Sequence, residues 1–122
     1  MTSLEVVDWF SCDVPYVWGW VPNSPSEVAF QLTLSIGEVN KPGSNDFHVF
    51  VATIEGFECL FDELPSFQVP DRAILLFREY SWEALHSRVQ KILETAASES
   101  WSESISRLQR YFVWEYEDLR VE

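Results

Sequence analysis

The stretch EVAFQLTLSIG, residues 27–37, alternates without a break: Val28, Phe30, Leu32, Leu34 and Ile36 fall on one side, and Ala29, Gln31, Thr33 and Ser35 on the other. A period of two marks a strand with one face on a core and one toward water. The next apolar run, FHVFVATI at 47–54, sets Phe47, Val49 and Val51 on one side and His48, Phe50, Ala52 and Ile54 on the other. EVNKPGSND lies between the two runs, with Pro42 and Gly43 as breakers. The simplest arrangement is an antiparallel pair joined by a loop of roughly nine residues.

Outward from this pair, LEVVDWF at 4–10 reads as a first short strand of mixed period. Pro15, Pro22 and Pro25 then exclude a regular element, leaving a long ordered loop. Its Trp18 and Trp20 either cover the core edge, the favoured reading, or stand out as a contact surface. Residues 55–71 are expected to hold one short helical turn and an irregular connection, because Pro65 and Pro70 interrupt anything longer. RAILLFREY at 72–80 is the most apolar run and reads as a short strand central in the sheet.

Two helices follow. Ser81 can cap the first, in which Trp82, Leu85, Val89, Ile92 and Ala96 recur at spacings of three and four. In the second, SWSE at 100–103 offers a capping box, Ser100 with Glu103, ahead of a stripe of Trp101, Ile105, Leu108 and Phe112. Strands first and helices last predict an α+β domain: a largely antiparallel sheet of about four strands with two C-terminal helices packed on one face. The other face is expected to be partly open. Residues 1–122 fit a single domain able to bury roughly two-thirds of its unfolded surface.

Eight Lys and Arg stand against twenty Asp and Glu, a formal charge of −12 that repels phosphate backbones and anionic lipid. Neither nucleic acid nor membrane is therefore an expected partner. Residues 1–71 hold eleven acids and one base, Lys41, whereas residues 72–122 hold nine acids and seven bases. Charge needed only for solubility can be spread evenly, so the asymmetry raises the odds of an acidic face made for a basic partner. No cationic leader precedes an apolar stretch and no apolar run approaches membrane length, so the expected compartment is the cytoplasm. Cys12 and Cys59 make no disulfide framework and are expected to be free thiols.

Few residues promise catalysis. The chain carries no Gly-rich phosphate loop, no Gly-x-Ser-x-Gly elbow and no Cys-x-x-Cys or His-x-x-x-His spacing. His48 and His86 lie on different elements, and a Cys59–His48 pair has no local support. No cofactor is expected. The acids Glu55, Glu58, Asp62 and Glu63 can be read as a solvated loop, as a small enzyme's or metal-binding domain's carboxylates, or as a charged contact surface with Phe57 and Phe61 beside them. A contact surface needs density of charge more than fixed spacing, and density is what the segment has.

RYFVWEYEDL, residues 110–119, mixes rings and acids. Continued as helix, it carries Phe112, Tyr116 and Leu119 along the stripe of Trp101; extended, it aligns Phe112, Trp114 and Tyr116. In both cases Glu115, Glu117 and Asp118 stand at or past the negative end of the helix dipole, at a cost of roughly 0.3–1 kcal/mol each when exposed. Arg110 and Arg120 offer ordinary surface pairs. Since helix stability does not account for the three acids, they are secondary candidates for touching a basic partner.

Four stretches in order, FQLTLSIG at 30–37, DFHVFVAT at 46–53, DRAILLFREYSWEAL at 71–85 and SWSESISRLQRYFVWEYEDL at 100–119, resemble the bacterial immunity protein 8 family of polymorphic toxin systems, which includes immunity proteins of contact-dependent growth inhibition. Where members commonly carry a Cys-Thr-Pro-like turn, this chain has Ala52-Thr53-Ile54. The resemblance implies a non-enzymatic cytoplasmic protein that binds the C-terminal domain of a cognate toxin one-to-one and blocks its active site. Such toxins are often nucleases, whose basic clefts suit an acidic inhibitor. A homodimer through the uncovered sheet face is left open.

Overall fold

The computed structural model describes residues 3–117. Four strands, β1 (Leu4–Phe10), β2 (Ala29–Glu38), β3 (Asn45–Thr53) and β4 (Ile74–Phe77), lie side by side in that order, and β5 (Val113–Trp114) pairs with β3 at Phe47 and His48, before the stretch that β4 pairs with. The helices are α1 (Ile54–Glu63), α2 (Trp82–Ala96) and α3 (Trp101–Leu108). The fold is α+β, as the order of strands and helices predicts.

The alternating stretch behaves as its period dictates. β2 and β3 pair antiparallel from Ala29 opposite Ala52 to Ile36 opposite Asn45. This register stacks Phe30, Leu32, Leu34, Ile36, Phe47, Val49 and Val51 on one face, each no more than 1% exposed. Leu85, Val89, Ile92 and Leu93 of α2, with Ile105 and Leu108 of α3, close over that face to form one apolar cluster. Each such side chain contributes roughly 1.5–3 kcal/mol by leaving water. Trp20 seals the cluster's edge against Phe30 and Tyr80, whereas Trp18 remains about half exposed.

β1 explains its own mixed period. Val6 faces Ile36 but Asp8 faces Ser35, so Val7 is an extra residue bulged out of the ladder. Leu4 and Val6 point at the core before the bulge and Trp9 after it, while Val7 is 56% exposed.

Two expectations need correction. The segment after β3 is not a single turn: α1 runs ten residues, because Pro65 stands one place beyond its C-cap, Leu64, and ends the helix without interrupting it. β4 is not central: it pairs with β3 alone among the described residues, in parallel, and Leu76 is 55% exposed. Of the two courses open to RYFVWEYEDL, helical or extended, the chain takes the extended one at Val113–Trp114. After a turn at 109–111 it becomes β5, antiparallel to Phe47 and His48. At the start of α3 half of the capping box forms. Ser100 Oγ accepts from the Glu103 amide at 3.2 Å, but the Glu103 carboxylate turns to Arg107 at 2.8 Å.

Candidate functional site

Thr53 sets the position of α1. Its Oγ1 accepts from the amides of Gly56 and Val28, each at 3.0 Å, and donates to the Ser26 carbonyl. One buried hydroxyl therefore caps the helix and ties it to the start of β2. Gly56 completes the docking: a Cβ there would stand 2.0 Å from the Val28 carbonyl oxygen, so only glycine lets the first turn approach this closely.

With α1 pinned, residues at i, i+3 and i+7 share a face. Glu55, Glu58 and Asp62, with Cys59 between them, line a groove of about 570 Å³ that Glu27, just before β2, and Arg78, just after β4, complete. Four carboxylates thus meet one guanidinium along an open surface. Glu63 lies just outside the groove yet near enough to act on Cys59. Burial first, and then the charges of Glu27, Glu63, Asp62 and Glu55, push the Cys59 thiol up. The sulfur is held as a neutral thiol and is a poor nucleophile. His48, the base a Cys59–His48 pair would need, is instead hydrogen-bonded through Nδ1 to Thr33 Oγ1 at 3.0 Å. Among the described residues no three His, Cys, Asp or Glu side chains converge in a way that could hold a metal ion.

The last turn of α1 carries Asp62 and Glu63 and no base, against the helix dipole. The acids unfavourable to their helix are therefore here. Glu115 and Glu117 lie beyond α3 and are engaged within the chain: Glu115 Oε1 accepts from the Asp46 amide at 2.9 Å, and Glu117 pairs with Arg72 while accepting from Gln109 Nε2 at 3.1 Å. Burial raises the Glu117 carboxyl, but the hydrogen bonds from Arg72, Gln109 and the Trp114 amide together outweigh it, and the group titrates below its ordinary value. Asp118 lies outside the described residues.

Phe57 and Phe61 occupy the opposite side of α1. Phe57 stacks on Phe50 at 5.8 Å and 14°, and Phe67 meets both Phe57 and Phe61, at 6.1 and 5.3 Å. These rings rest on the second sheet face, beside the acids but turned from the groove. Glu27 and Arg78 were not singled out in the sequence, since the parallel β3–β4 pairing that brings Arg78 alongside α1 has no local signal.

The family model described as Immunity protein 8 matches residues 4–119. The chain belongs to the Immunity protein 8 family. Membership makes it an immunity protein of a toxin system, one that binds a cognate toxin. The match runs from β1 through α1 and the groove to β5, so the acidic site lies inside the Immunity protein 8 domain and not on an appendage. Neither a curated protein nor a solved structure matches the chain. No helix among the described residues is long and apolar enough to cross a membrane.

Proposed function

We propose that this immunity protein neutralises its toxin as a non-enzymatic, one-to-one inhibitor in the cytoplasm, laying the acidic face of α1 over a basic active-site cleft. The observation that carries the reading is the groove of Glu27, Glu55, Glu58 and Asp62, whose charge is only partly offset by Arg78. A cleft built to hold a phosphate backbone, as in a nuclease, presents the complementary charge. Phe61, 44% exposed on the side of α1 turned from the groove, supplies apolar area to a toxin that wraps around the helix.

The test is the triple variant Glu58→Lys, Asp62→Lys, Glu63→Lys against the toxin domain encoded beside it. Lysines at the last turn of α1 complement its dipole, so the variant folds at least as stably as the parent, with gains of roughly 0.3–1 kcal/mol at each of the last two positions. Association slows by about tenfold or more at low salt. An unchanged on-rate would remove α1 from the interface, and an active toxin in the saturated complex would refute occlusion.

A further inference from the structure

A second hollow lies about the loop that precedes β2. Trp18, Trp20, Pro22, Tyr80, Trp82 and Glu83 line a depression of about 200 Å³, too small for a drug-sized molecule and of the scale of one side chain. Three Trp and one Tyr stand among its lining residues, and no Lys or Arg lines it among the described residues. A buried phenol and an exposed carboxylate border it. Tyr80 is 3% exposed, and its Oη, itself buried, has no hydrogen-bond partner among the described residues, an arrangement that costs free energy. Glu83, at the first turn of α2, is exposed and makes no hydrogen bond or ion pair among the described residues. Burial and then the Glu83 charge push the Tyr80 hydroxyl up to about 12, which keeps the phenol neutral.

Aromatic faces carry negative quadrupole density. With a carboxylate at the rim, the two features together favour a cation whose stem is apolar. We infer that the Trp18–Trp20–Tyr80–Trp82 hollow seats one arginine or lysine side chain of the toxin, gripped by the rings and by Glu83. This rests on the proposed toxin complex, and it adds an anchoring contact whose lining residues are not those of the α1 groove. The rings supply short-range grip where the groove supplies long-range attraction.

Two measurements test it. In the first, the free protein is titrated with Nα-acetyl-arginine amide and with its neutral counterpart, Nα-acetyl-norleucine amide, while the indole N–H resonances are followed by NMR. The arginine compound should shift the Trp18, Trp20 and Trp82 signals, with Glu83→Gln weakening its binding several-fold; equal binding of the neutral compound, or no shift, overturns the assignment. In the second, Trp18→Ala, at a half-exposed position, should speed dissociation of the toxin complex by about five- to thirtyfold with little change in on-rate. Trp18→Phe should restore part of the loss. A toxin that binds tightly and is indifferent to Trp18→Ala overturns the anchor while leaving the toxin reading intact, whereas no toxin binding by the parent protein refutes both.

Discussion

Gly56 is the position at which one atom decides the site. Elsewhere in a helix, glycine to alanine gains about 0.5–1 kcal/mol. Here the added Cβ would meet backbone, 2.0 Å from the Val28 carbonyl oxygen, and neither partner can swing aside. We expect Gly56→Ala to destabilise the protein by about 2 kcal/mol, read as a Tm lowered by several degrees, and a neutral or stabilising result would show that α1 does not press on β2. Thr53 is the other fixed point. Thr53→Val keeps the shape but removes the cap and orphans the buried Val28 amide, at a cost of about 2 kcal/mol by denaturant melt. Neither role was visible from composition: a glycine inside an acidic segment and a threonine at a strand's end look ordinary until the helix is seen against the strand.

Among the elements, β5 is held less by its own ladder than by what clasps it. Arg72 donates to the carbonyls of Gln109 and Phe112, at 3.1 and 3.3 Å, and pairs with Glu117. A carboxyl held below its ordinary value contributes stability that is full above the unfolded-state value, about 4.3, and is lost as pH falls through the lower folded value. We therefore expect the parent's Tm to fall below about pH 4 more steeply than that of Glu117→Gln, which lacks the titrating group; parallel profiles would deny Glu117 this part. The strands β2 and β3 and the helices α2 and α3 were legible because periods of 2 and 3.6 act locally, and β1 through its β-branched and aromatic residues despite the bulge at Val7. The full length of α1 was not, because a proline just past a helix end and a proline breaking a helix look alike in a string of letters. The edge position of β4 was hidden for a related reason: an apolar run announces burial but not which neighbour provides it.

Over the whole molecule, charge and fold divide along the chain. The acid-rich residues 1–71 build β1 to β3 and α1, and the near-balanced remainder supplies the helices that cover the core. Attraction of this kind acts over about 10 Å at 0.1 M salt, so raising ionic strength should slow toxin association while leaving dissociation nearly unchanged. Stopped-flow mixing at several salt concentrations reads both, and a salt-insensitive on-rate would count against charge steering. The acidic face was legible as an excess of carboxylates; its focus on one groove was not, since Glu27 and Arg78 arrive by tertiary pairing. The two partners of β3 on its outer side carry a consequence for biosynthesis. β4 and β5 dock beside a strand that leaves the ribosome well before them, Phe47 waiting for Trp114. Until residue 114 has emerged, the part of that edge at Phe47 and His48 stays open for other strands to occupy. A ribosome stalled before residue 113 thus holds a nascent chain with an unpaired strand edge, exposed to aggregation.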